Sequence, residues 1–277
     1  MNNQNSEKIL EVPVVIFTMN ERTKSLAVKC FQVLGFKNII IFDQEEGFSE
    51  KMKRFFELSN LKEYENTELF IRSDADRLVF AGIKDLANES FKYLENSKDG
   101  MLLSEGFGYE CFMARLRGAT PHIYSKNIMK YILENSETLI KDIQKPESHI
   151  GKHAKETLDC FKPFNILTNL HEFEQYPSKM FHAFLNRINR GHIGYYDLEV
   201  IQKNSLYGPA MKLALNASKT KNKESMSYSD KELSILSDLD TELGPILEKT
   251  LSDFYILYTN LFNFIKEKSA ASFKENK

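Results

Sequence analysis

Apolar residues follow two rhythms along this chain. Val12 to Thr18 (VPVVIFT) and Asn38 to Phe42 (NIIIF) are β-branched, apolar runs of strand length, the pattern of strands buried on both faces of a sheet. Between them Leu26, Cys30, Val33 and Leu34 recur at helical spacing, and Gly35 stands where a helix ends in the left-handed conformation. Strand, helix and strand in this order make a βαβ unit, with parallel strands and a right-handed crossover. Ser49 to Ser59 reads as a helix with Met52, Phe55 and Phe56 inward. Glu68-Leu69-Phe70-Ile71 is a third strand. After it, Ile83, Leu86, Ala87, Ser90, Phe91 and Leu94 keep the spacing of a core-facing helix.

Further on, Asp99-Gly100 is a turn, Met101 to Leu103 resumes the sheet, and Ser104 to Glu110 is a glycine-loosened loop suited to wall a binding site. Gly118 to Tyr124 is a strand, and Ser125 caps the helix behind it. Ser148 caps a helix carrying Ile150, Ala154 and Leu158, and Phe164 to Leu170 delivers His171 to a strand end. Pro177 opens a helix with Met180, Phe181, Phe184, Leu185 and Ile188 on one side. Residues 216–228 turn to Lys, Asn and Ser, a polar linker. Ser229 and Glu232 form a capping box, and leucines on both sides of Gly244-Pro245 mark a helical hairpin over 229–268. Its mixed-charge polar face suits packing on the domain, or on a second copy in a homo-oligomer, rather than on a membrane. The expected fold is α/β: an open, mainly parallel central sheet flanked by helices over residues 8–215, with a C-terminal helical extension.

Composition narrows the function. The 277 residues carry 37 Lys and Arg against 39 Asp and Glu, a net charge of −2, without the basic excess of a nucleic-acid binder. No apolar run has the length of a membrane span, and the N-terminal residues are polar. Cys30, Cys111 and Cys160 are scattered without paired spacing, so neither a disulfide framework nor a zinc site is signalled, and a reducing cytoplasm is the expected location.

The stretch with the most chemistry is Ser73-Asp74-Ala75-Asp76-Arg77, directly after the third strand. Two carboxylates one residue apart at a strand end make a hard, oxygen-rich corner suited to Mn²⁺ or Mg²⁺ shared with substrate phosphates. Arg72 and Arg77 flank it, placed to offset charge or to touch a phosphate. In an open α/β sheet ligands bind beyond the carboxyl ends of the strands, so Thr18, Asn20, Asp43, Asp74 and Asp76 would face one crevice. Taken alone, the pair also reads as a turn in which one Asp caps the next helix.

In order and spacing these features resemble the GT-A-type glycosyltransferases, above all the large inverting family called family 2, over residues 11–175. Val14 to Glu21 is similar to that family's opening strand and Thr-x-Asn-Glu turn, Asn38 to Asp43 to its second strand with a nucleotide-facing Asp, and Asp74-Ala75-Asp76 to its metal-binding Asp-x-Asp. Gly118 to Ser125 resembles the strand before its acceptor-side helix. The resemblance implies transfer of a sugar from a nucleotide-diphosphate donor, held by Thr18, Asn20, Glu21, Asp43, Arg72 and Asp74, to a hydroxyl of a glycan, lipid-linked or protein acceptor. Asp74 and Asp76 would hold the metal, with His171 as third ligand. The family places its carboxylate base as Glu-Asp at a helix start; here Glu147-Ser148-His149 stands there. Ser148 departs from that pattern, which brings Glu147 and His149 forward as the base, keeps Glu110 and Glu105 as rivals, and leaves a retaining mechanism open.

Two other readings compete. A haloacid-dehalogenase-like phosphohydrolase also has a strand followed by Asp-x-Asp, but it places Thr or Val where Leu78 stands. A nucleotide-sugar-binding or assembly protein without turnover would account for the irregular Glu147-Ser148.

Overall fold

A computed structural model describes residues 3–19, 21–43, 46–110, 115–141, 143, 145–171, 175–189 and 208–220. The chain divides into two compact units, residues 1–110 with 116–173, and residues 111–115 with 174–277. The first is built on a seven-stranded sheet. Its elements in chain order are α1 (Asn3–Leu10), β1 (Val14–Phe17), α2 (Lys24–Val33), β2 (Ile39–Phe42), α3 (Phe48–Glu57), β3 (Leu69–Asp74), β4 (Arg77–Val79) and α4 (Gly82–Asn96). There follow β5 (Leu103–Glu110), β6 (Arg115–Ser125), α5 (Lys126–Glu134), α6 (Ser136–Leu139), α7 (Pro146–Glu156) and β7 (Phe161–His171).

The strands lie in the order β2-β1-β3-β6-β5-β7-β4. β1 runs parallel to β2 and to β3, and β5 parallel to β7, but β6 is antiparallel to β3 and β4 antiparallel to β7. The sheet is therefore mixed, which corrects the mainly parallel expectation. The connections explain this: residues 111–114 between β5 and β6 are far too few for a parallel crossover, which takes a dozen or more residues. The β1-α2-β2 unit has the full crossover that its apolar runs foretell, and α3 makes a second one between β2 and β3, both parallel to β1. Val14, Val15 and Ile16 are fully buried, as the continuous run requires, and Gly35 has the positive φ of 89° expected of a helix terminator. On one face of the sheet Met52, Phe55 and Phe56 of α3 join Phe17, Phe42, Phe70 and Tyr124 in the main apolar cluster.

Other elements differ from their sequence reading. Ser104 to Glu110 is strand β5 rather than a loop, with Ser104, Gly106, Gly108 and Glu110 buried in alternation. The glycines here serve close packing. A Cβ on Gly106 would lie 2.6 Å from the Ile166 carbonyl oxygen and 2.5 Å from Thr168 Cγ2, so a side chain would push β7 away. Gly106→Ala is expected to lower the unfolding free energy by about 2 kcal/mol through this overpacking, as measured by denaturant titration. The helix after the Asp pair is preceded by the three-residue strand β4. In α7, Pro146 takes the first helical position, so Ser148 lies inside the first turn and is not the cap. The inward face of α2 is Ala27, Cys30 and Phe31, while Val33 is 58% exposed.

In the second unit α8 (Pro177–Asn189) and α9 (Gly208–Thr220) pack through Met180, Phe181, Phe184 and Leu185 against Ala210, Met211, Ala214 and Ala217. Residues 216–220, read as the start of a linker, continue α9. The remainder of the linker and the 229–268 hairpin lie outside the described residues. Among the described residues no helix is long and apolar enough to cross a membrane.

Candidate functional site

The Asp74-Ala75-Asp76 turn is fixed through its middle residue. Ala75 is fully buried, its N–H donates to the Phe17 carbonyl at the end of β1 (2.9 Å), and its carbonyl accepts from Thr23 Oγ1 (2.8 Å). The chain then leaves β3 and rejoins the sheet at its far edge as β4, where Arg77 pairs in register with His171. On the other side of β7, Glu110 is the register partner of the same His171. Three sequence-distant strand ends thus meet beside Asp76, and the two aspartates acquire different neighbours.

Asp74 belongs to an arginine. Arg72 is fully buried; its Nη2 donates to Asp74 Oδ1 (2.5 Å) and its Nη1 to Glu147 Oε2 (2.8 Å). The register Arg72 to His122 puts Thr120 alongside Asp74, and Thr120 Oγ1 donates to Asp74 Oδ2 (3.0 Å). Both oxygens of Asp74 are therefore engaged. Burial drives its carboxyl above the ordinary range; Arg72 opposes this, and the charges of Glu147 and Asp76 add to it. Glu147 goes the other way. Its own burial would raise it, but the charge of Arg72, with His122 and Arg77, holds it below the usual carboxylate range.

Asp76 belongs to a histidine. Its Oδ2 lies 3.4 Å from His171 Nε2, and His171 Nδ1 lies 2.7 Å from Glu110 Oε1. Glu110 is completely buried, with Arg117 Nε at 3.0 Å and Arg77 Nη1 at 4.0 Å from the same oxygen. Desolvation alone would raise its pKa; the hydrogen bond and charge of His171 and the charges of Arg117 and Arg77 outweigh it and bring it down to about 2. The short Glu110 contact suits an Nδ1–H donor, so Nε2 is the ring nitrogen that faces Asp76. A ring nitrogen and a carboxylate oxygen 3.4 Å apart can share a proton or a cation.

The fit to a divalent cation follows from that spacing. Two ligand atoms each about 2.1 Å from one ion sit roughly 3 Å apart when at right angles, close to what Asp76 and His171 offer. Among the described residues no three His, Cys, Asp or Glu side chains gather as a ligand set. Mn²⁺ or Mg²⁺ held by two protein ligands and substrate phosphates needs no third. Glu110 holds the far ring nitrogen of His171, an arrangement also met behind metal-binding histidines.

The other residues singled out by sequence are placed as follows. Thr18 is buried at the end of β1, where its hydroxyl and the Met19 N–H both donate to the Glu21 carboxylate (3.1 and 2.6 Å). Glu21 thus braces the β1–α2 turn. Asp43 is exposed and pairs with Lys24 Nζ (3.1 Å). Asn20 lies outside the described residues. His149 is exposed on α7.

A cavity of about 340 Å³ opens beside these groups, with Glu147, Glu105, His122, Thr120, Arg77 and Phe161 among its lining residues. Glu105 and His122, on adjacent strands, face each other in it with Oε2 and Nε2 3.3 Å apart. His122 was not singled out in the sequence. The signal for it was the alternation Thr120-His122-Tyr124, three chemically distinctive side chains on one face of a strand.

No protein-family model matches this chain, and no curated protein does. Among solved structures, the crystal structure of a glycosyltransferase involved in the glycosylation of the major capsid of PBCV-1 is similar to it at 14% identity and a TM-score of 0.36. The match covers 58% of this chain and 94% of that one.

Proposed function

We propose that this chain is a metal-dependent glycosyltransferase, moving a sugar from a nucleotide-diphosphate donor to a hydroxyl acceptor. The observation that carries the reading is the chain Asp76–His171–Glu110 at the tip of β3, beside a cavity lined by a second, separately held carboxylate, Glu147. Asp76 Oδ2 and His171 Nε2 would hold Mn²⁺ or Mg²⁺, and Glu110 would keep His171 in the tautomer that leaves Nε2 available. When bound, the cation neutralises the diphosphate and makes it a competent leaving group. The donor would lie across the ends of β1 and β3, near Thr18 and Asp74, and the acceptor in the cavity.

Glu147 is the group best placed to take the acceptor proton. As the acceptor oxygen forms its bond to the anomeric carbon, the bond from that carbon to the diphosphate oxygen breaks, and the hydroxyl proton passes to the carboxylate. The charge of Arg72 keeps Glu147 ionised at neutral pH, so it is ready to accept that proton. Attack from the face opposite the leaving group would invert the anomeric centre. The acceptor class that fits is a glycan, a lipid-linked sugar or a protein hydroxyl.

A thermal-shift panel of UDP, GDP, CDP and dTDP, each with MnCl₂ or with EDTA, tests the reading. One nucleotide is expected to raise the melting temperature only when Mn²⁺ is present. At a hundredfold excess over Kd the stabilisation would be about 2.7 kcal/mol. A panel that gives no shift, or the same shift in EDTA, would remove the metal-dependent donor site.

A further inference from the structure

Arg72 sits two residues before the Asp pair, where a ligand-facing arginine would be expected to meet phosphate. Its surroundings leave it no room for that. The side chain is fully buried, Nη2 and Nη1 are committed to Asp74 and Glu147, and the guanidinium lies over the rings of Phe17 (4.7 Å) and Phe48 (5.3 Å). The two carboxylates it joins are far apart in sequence, one at the tip of β3 and one in the first turn of α7, and on the proposed function they serve the donor and the acceptor.

We propose that Arg72 is a positioning residue shared by the donor and acceptor halves: it touches neither sugar nor phosphate, and sets Glu147 against the cavity while holding Asp74 at the end of β3. This rests on the glycosyl-transfer reading for the meaning of the two halves, but the sharing itself is a property of the unliganded protein. Its physical basis is that one rigid planar fork serves two carboxylates at once in fixed directions, which the compact ammonium of a lysine on its flexible stem does not impose. A ligand that draws Asp74 away leaves the whole of the Arg72 charge to Glu147. Conversely, loss of the Glu147 charge leaves Arg72 to Asp74 alone and makes Asp74 harder to recruit. The two halves are therefore coupled without a moving domain, and the coupling is reciprocal for binding.

The test is a double-mutant cycle on the unliganded chain, using Asp74→Asn and Glu147→Gln. Both side chains keep part of their surface exposed, 26% and 34%, so the variants should fold. Each single variant leaves Arg72 one counter-ion. The double variant leaves a buried guanidinium with none, which is the costly case. Its melting temperature is expected to fall below the sum of the single effects by about 3 °C or more. Arg72→Lys should fold and should shrink this excess. The second readout is nucleotide affinity, which a purely structural arginine would not transmit: Glu147→Gln is expected to weaken Mn²⁺-dependent nucleoside diphosphate binding about three- to tenfold, although Glu147 lies on the acceptor side. Additive single effects overturn the sharing whatever the nucleotides do. Unchanged nucleotide affinity in Glu147→Gln overturns the positioning role. A silent nucleotide panel on the wild type overturns the underlying function, and the positioning role with it.

Discussion

Asp76→Asn is expected to abolish the Mn²⁺-dependent stabilisation by nucleoside diphosphates and to lower sugar transfer about a thousandfold, while leaving the protein folded. The size follows from what the cation supplies. Neutralising a departing diphosphate is worth several kcal/mol in the transition state, and each 1.36 kcal/mol is about a factor of ten in rate. The fold should survive because asparagine keeps the size of the side chain, and because His171 and Arg77, which lie 3.4 Å and 3.8 Å from Asp76, both keep Glu110 as a partner. Asp74→Asn is the informative companion. Asp74 already has both oxygens engaged by Arg72 and Thr120, so its loss should weaken nucleotide binding without removing its dependence on metal. Melting curves with UDP, GDP, CDP and dTDP, with and without Mn²⁺, separate the two. If Asp76→Asn keeps the full metal-dependent shift, Asp76 is not at the metal and the assignment of His171 fails with it.

The division of labour between those two aspartates is what the sequence could not disclose. That Asp74 and Asp76 end a buried strand was legible from Leu69-Phe70-Ile71 and from the helical pattern beginning at Ile83. So was the β1-α2-β2 unit, because long β-branched runs and a terminating glycine are local signals. Their partners are set by register across great sequence distance. Asp76 meets His171 because a strand of only three residues, β4, pairs antiparallel with β7, and nothing in Arg77-Leu78-Val79 announces a pairing more than ninety residues away. Arg72 meets Glu147 for the same kind of reason. β5 carries no strand signature because its buried positions are Ser104, Gly106, Gly108 and Glu110, small or polar residues that ordinarily mark solvent. They are buried because β7 lies too close for larger side chains, and because Glu110 finds its compensating charges on β4, β6 and β7. A polar residue inside a core is intelligible only once its partners are in place.

Glu110→Gln is expected to cost about 3 kcal/mol of stability at neutral pH and, on the proposed function, to weaken metal binding about ten- to a hundredfold, although residue 110 is fully buried. The stability figure follows from the depression of its pKa from 4.5 to about 2. A carboxyl whose folded pKa is depressed adds stability above its unfolded pKa and loses it as pH falls toward the folded one. The wild type should therefore lose about 3 kcal/mol from this group between pH 5 and pH 2, and the glutamine variant should lose none from it. Denaturant titrations at pH 7, 5, 3.5 and 2.5 would then show a gap between the two proteins that is widest at pH 7 and closes with acid. A gap constant across that range would mean that the Glu110 charge does not stabilise the fold. The metal effect has a separate origin. Glutamine can still accept the Nδ1–H of His171, but its amide can equally turn its NH₂ toward the ring, and without a negative charge it no longer fixes the tautomer. Rescue of metal binding by Glu110→Asp, at a distance one methylene shorter and with the charge kept, should be partial at best, because the 2.7 Å contact to His171 cannot be remade without moving β5.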